Sequence, residues 1–99
     1  MLSYEVIATV DEATRDGYVR YMRAQHIADV LATGCFVGAT FAQESPQRFR
    51  AAYRVRDQVT LDRYLRDHAP ALRASFAAHG VQGVTFAREV WQVVQEFVP

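Results

Sequence analysis

The sequence predicts an α+β domain in which a four-stranded antiparallel sheet carries two helices on one face. Three observations lead there. Leu2 to Val10 alternates side chains with a period of two, the stretches after Asp11 and after Thr60 repeat apolar residues with a helical period, and between them lie two strand-like segments joined by turn residues. At 99 residues, with 51% hydrophobic side chains, the chain is long enough for one core and too short for two, so residues 1–99 are read as a single domain.

In the first strand Leu2, Tyr4, Val6, Ala8 and Val10 share one side, and Ser3, Glu5, Ile7 and Thr9 the other. Asp11 offers an N-cap and Glu12 adds negative charge in the first turn of a helix whose apolar face is Tyr18, Val19, Met22, His26 and Val30. Gly17 is its weak point. Ile27 and Leu31 fall off that face, so the helix is expected to bend or restart near His26 before Thr33-Gly34 ends it.

Phe36 to Gln43 and Phe49 to Arg56 read as a hairpin around Glu44-Ser45-Pro46-Gln47. Thr60 is the expected cap of the second helix. Its stripe is Leu61, Tyr64, Leu65, His68, Leu72 and Phe76, with Arg63, Arg66, Asp67 and Arg73 outside it. Pro70 should kink this helix or begin a second segment, and Gly80 should close it. The last strand covers about Val84 to Val94, with Gln95 to Pro99 as a tail.

Strand, helix, strand, strand, helix, strand is the ferredoxin-like order, βαββαβ. The sheet face away from the helices then combines Ile7, Phe36, Thr40, Ala52, Trp91 and Val93 with Glu5, Arg50, Arg54 and Glu89. That mixture is too apolar for open solvent and too charged for a plain core. Packing against a second copy resolves it: a homodimer with Glu5, Arg54, Glu89 and Trp91 at its seam, in the manner of a dimeric α+β barrel. The alternative is a monomer with a partly apolar sheet.

Eleven basic and eleven acidic residues cancel, so neither nucleic acid nor an anionic membrane is an expected partner. No stretch is apolar enough to span a bilayer, and Ser3, Glu5 and Thr9 interrupt the start, unlike a secretory signal. The single cysteine, Cys35, fits a reducing, cytoplasmic location. The chain contains no lysine and no asparagine, for which codon bias is the simplest reason. Schiff bases, pyridoxal phosphate attachment and phosphate-loop nucleotide sites are thereby excluded, since each needs a lysine amine.

Two runs mark a family: His26-Ile27 with Val30-Leu31-Ala32-Thr33-Gly34-Cys35-Phe36, and Leu61-Asp62-Arg63-Tyr64-Leu65 with His68-Ala69-Pro70 and Leu72-Arg73. They resemble an uncharacterised bacterial family bearing a domain-of-unknown-function label, number forty-two eighty-six, over nearly the whole chain. Gly17 and Tyr18 depart from its pattern, where stronger helix formers or tryptophan stand. The resemblance implies no activity. More distantly the architecture is similar to the dimeric α+β barrel superfamily, which includes cofactor-independent monooxygenases of antibiotic biosynthesis, small isomerases and haem-handling proteins. Fold alone does not carry function across.

The analogy puts a site between the sheet and the helices. His26, four residues after Met22, and His68, four after Tyr64, belong to the two helical stripes, so the expected ligand-binding residues are His26, Tyr64, His68, Tyr18 and Met22. A buried neutral imidazole can act as acid or base near neutral pH, and tyrosines can stack on an aromatic ligand. The plainer reading makes the histidines core-edge hydrogen-bonders and the aromatics core. Nothing near Cys35 in sequence activates its thiol.

No metal-ligand spacing occurs, and no glycine-rich fingerprint, nucleophile elbow or calcium loop. No cofactor is expected. Haem held by His26 or His68 is the one cofactor reading left, without a local motif to support it. The leading expectation is a homodimer that binds a small apolar or aromatic molecule. Its competitors are a cofactor-independent monooxygenase or isomerase with a histidine base, and a non-catalytic structural or regulatory interaction module.

Overall fold

In a computed structural model, which describes residues 1–79 and 81–99, the alternation of the first segment becomes β1, Leu2–Val10. After it come α1 (Arg15–Tyr21), a π-turn (Met22–His26), α2 (Ile27–Ala32), β2 (Gly38–Ser45), β3 (Arg48–Val55), α3 (Gln58–Asp67), α4 (Ala69–Ala78) and β4 (Val84–Gln92). The sheet order is β2-β3-β1-β4, antiparallel throughout, which makes the domain α+β and ferredoxin-like. Tyr4 stands opposite Tyr53 and Val90, and Ala8 opposite Phe49 and Phe86, so one register places an aromatic set on the helix side. Tyr4, Ala8, Val10, Ala51, Tyr53 and Val55 are buried there.

The expected break near His26 is present, and its form is specific. Ile27 N–H donates to the carbonyl of Met22, five residues back, so one extra residue is wound into the helix. Four residues of α-helix overshoot a full turn by about 40°, and the three such steps from Tyr18 to Val30 would carry Val30 about 120° away from Tyr18. The π-turn removes most of that drift. Tyr18 and Val30 are both 1% exposed, and Ile27 and Leu31 return to the edge of the core.

Several local expectations change. Asp11 does not cap α1: its carbonyl accepts Thr14 N–H at 3.0 Å in a turn that delays the helix to Arg15. Asp57, in extended conformation, caps α3 in place of Thr60, its carboxylate accepting Thr60 N–H at 2.8 Å. Pro70 does begin a segment, in the first turn of α4 just after the junction at His68. Gly34, at φ 76°, follows α2 and donates to Leu31 carbonyl at 3.1 Å. The predicted close of the second helix at Gly80 lies outside the described residues.

Phe36 was expected on the outer face of the sheet and lies instead in the core. β2 starts only at Gly38, so strand alternation does not reach back to Phe36, whose ring packs 4.7 Å from Tyr64 and 5.3 Å from Tyr53. β4 ends at Gln92, two residues short of the expected limit.

Candidate functional site

Two of the five alanines of α4, Ala69 and Ala77, stand on the face that meets the space beneath the helix. A cavity of about 360 Å³ remains under this helix. Its roof is the α4 stripe Ala69, Leu72, Arg73, Phe76 and Ala77, at the i, i+3, i+4, i+7, i+8 spacing of one helix face. Met22, His26 and Val30 form one wall, Tyr64 of α3 another. The floor is Tyr4, Val6 and Tyr53, and the open edge is Val84, Phe86 and Arg88 of β4.

His26 is half-buried, edge-on to Phe76 at 5.6 Å between ring centres and tilted against Tyr21 at the same separation. Its Nδ1 and the hydroxyl of Tyr21 are buried without a hydrogen-bond partner among the described residues. Burial lowers the pKa of the imidazole, an effect that the Asp29 carboxylate partly offsets. The ring is therefore neutral at pH 7, able to donate from one nitrogen and accept at the other. Burial pushes the Tyr64 hydroxyl up to about 12, helped by Tyr4, while Arg73 and Arg88 act against it. Tyr64 stays protonated, a donor at neutral pH.

His26, Met22 and Tyr64 thus line one cavity, together with Tyr53. His68 and Tyr18 do not line the cavity. His68 sits at the α3–α4 junction, where the helix breaks, and its ring stacks with that of Tyr64 at 6.3 Å. Tyr18 packs under the other half of the helical layer, 5.4 Å from Phe49 and 6.1 Å from Phe41. Arg73 and Arg88 are additions. Arg73, expected outside the helical stripe, follows Ala69 by four residues and Arg88 follows Phe86 by two, so both occupy positions of the lining sets.

Cys35 is buried, its Sγ 3.8 Å from Arg63 Nη2 and 3.9 Å from the Thr33 carbonyl. Among the described residues no group of three or more His, Cys, Asp or Glu could hold a metal ion. Of the two histidines considered for haem, only His26 faces the cavity.

The outer face of the sheet is built in cross-strand rows: Arg54, Ser3 and Trp91 in one, Ala52, Glu5 and Glu89 in the next, Arg50, Ile7 and Ala87 in a third. Glu5 accepts from Ser3 Oγ at 2.9 Å and lies 3.7 Å from Arg50 Nη1. Arg50 thus stands within ion-pair distance of Glu5, while the Arg54 guanidinium lies against Gly38, the residue with no side chain to displace it. Trp91 donates to Glu89 at 2.9 Å and is 59% exposed.

Residues 1–93 match the family described as domain of unknown function (DUF4286). The chain belongs to this family. No curated protein matches this DUF4286 chain. Among solved structures it is similar to a monooxygenase from the gene ActVA-Orf6 of Streptomyces coelicolor in complex with nanaomycin D (12% identity, TM-score 0.75, 99% of this chain and 91% of that one). It is also similar to a variant of SnoaB, a cofactor-independent oxygenase from Streptomyces nogalater (18% identity, TM-score 0.73, 96% and 94%). A third is a dimeric ferredoxin-like protein from an uncultured marine organism (10% identity, TM-score 0.65, 99% and 98%). Likeness at these identities establishes the shared fold.

Proposed function

We propose that this DUF4286 domain is a cytoplasmic homodimer that binds one small, flat, largely apolar molecule per subunit, with His26 and Tyr64 orienting it. The observation that carries the reading is the cavity under α4. Its 360 Å³ falls within the roughly 300–1,000 Å³ of small-molecule pockets and is more than twice the about 150 Å³ that takes benzene. Aromatic walls supply stacking, and two polar groups of fixed protonation supply orientation. The dimer reading is supported by the exposed Trp91 on the same outer face as Ile7 and Ala52, and by the dimeric ferredoxin-like relative of fold. For location, the lone Cys35 supports the cytoplasm, and among the described residues no helix is long and apolar enough to cross a membrane.

A second reading is favoured by one specific feature. The buried Nδ1 of His26 has no hydrogen-bond partner among the described residues, and a neutral imidazole in an apolar cavity can take a proton from an acidic phenol or an activated C–H. Cofactor-independent oxygenation or isomerisation would use it so, as the named activity of the SnoaB relative suggests.

Thermal-shift and calorimetric titration with fused-ring aromatic compounds test the first reading. Binding is expected in the wild-type protein and its loss in Ala77→Phe, which fills the cavity from the roof; equal binding in both places the ligand elsewhere. Absence of binding to any such compound favours the interaction-module reading. Sedimentation equilibrium should show a dimer at micromolar concentration that Trp91→Asp weakens, and a wild-type monomer would remove the quaternary claim. For the second reading, His26→Gln should abolish turnover of a substrate found by screening, and undiminished turnover eliminates the base.

A further inference from the structure

The cavity has an unbalanced charge. Among its lining residues are two arginines, Arg73 and Arg88, and no aspartate or glutamate. The ion pairs of the described residues engage Arg15, Arg48, Arg50 and Arg66, and neither Arg73 nor Arg88 takes part in one. This is a local property, because the chain as a whole has as many acidic as basic residues.

The two arginines reach the cavity from opposite sides, Arg73 from the roof helix and Arg88 from the sheet edge, and both side chains extend from exposed positions. The Arg88 guanidinium carbon lies 5.4 Å from the centre of the Phe86 ring, a cation–π contact that steadies the charge at the rim. Tyr64 lines the same cavity, and both guanidinium groups oppose the burial-driven rise of its pKa. Two cations and a phenolic donor therefore line one cavity whose aromatic interior opens to solvent. Guanidinium is a planar fork that matches the two oxygens of a carboxylate.

We infer that the ligand of this cavity is an aromatic acid, its rings under α4 and its carboxylate at the rim between Arg73 and Arg88. The inference rests on the cavity being a binding site, as proposed above, and adds the class of molecule. The apolar interior selects rings, and the missing negative charge is supplied by the ligand. A neutral molecule of the same shape would fill the interior and leave both cations unpaired.

The test is a matched pair of probes, 2-naphthoate and 2-naphthalenemethanol, titrated calorimetrically into the full chain at low salt. Both should bind, the acid roughly tenfold more tightly, as a charge-assisted hydrogen bond at a partly exposed rim would give. In Arg73→Gln and Arg88→Gln the preference should shrink towards equality through weaker binding of the acid alone, and Arg88→Lys should retain part of it. Raising the salt should narrow the gap in the wild-type protein. Equal affinity for the two probes in the wild-type chain overturns the inference while leaving the cavity reading intact, and requires no variant to fold. A preference that survives in both Gln variants overturns it as well. Failure of both probes to bind at millimolar concentration removes the cavity reading and the inference together.

Discussion

The two halves of the space between helices and sheet differ in how they are filled. Under α1, Tyr18 is wedged among Phe41, Phe49 and Phe76, with ring centres 5.4–6.3 Å apart, and Phe41 stacks on Phe49 at 5.6 Å. Under α4, Phe76 is shared with that cluster while Ala69 and Ala77 contribute only methyl groups, and about 360 Å³ stays open. One sheet thus carries a tight aromatic cluster around Tyr18 and, beside it, the open space under α4. The difference lies in side-chain volume, since the backbone frame is shared.

The comparison breaks most readily at Tyr18. Tyr18→Ala should cost about 3–5 kcal/mol in denaturant unfolding, because it removes a fully buried ring and leaves a hole. In the hollow half, Leu72→Ala should cost only about 1 kcal/mol: Leu72 is half-buried and already borders open space, so little new cavity is created. Comparable losses at both positions in urea unfolding would mean that the two halves are packed alike.

A smaller effect concerns pH. The folded state lowers the pKa of His26, so above about 6.5 both folded and unfolded imidazoles are neutral and the residue contributes nothing. As the pH falls below that value the unfolded chain takes up a proton that the buried ring resists, and stability drops. Wild-type protein should therefore lose more stability than His26→Gln between pH 7.5 and pH 5, measured by thermal melting. Equal losses would show that the ring is solvated. The smallest effect is expected from Asp57→Ala, which removes an exposed cap and should lower the melting temperature by a few degrees without touching ligand binding.

Particular residues show where sequence reasoning reached and where it stopped. The period of two in Leu2–Val10 matches β1 end for end, because a half-buried strand imposes that alternation on its own residues. The misfit of Ile27 and Leu31 exposed a break near His26, but its being a π-turn depends on a backbone bond invisible in side-chain pattern. Asp57 and Thr60 are both good caps, and only the backbone conformation decided between them. Phe36 was misplaced because alternation was carried across residues that are not strand. Of the site, His26, Met22 and Tyr64 were legible as stripe members, whereas His68 turned away at a helix junction that Pro70 announced without giving its direction. Arg88 was readable in principle as a charge in the inward-facing set with Val84 and Phe86.

From the order of residues alone came the element sequence, the two amphipathic helical runs and the mixed outer face of the sheet, since each depends on neighbours within a turn or a strand. Whether the interior closes or stays hollow was decided only in three dimensions. It depends on how far the α4 face with Ala69 and Ala77 stands from Tyr4 and Val6 across the layer, a distance encoded in no local pattern.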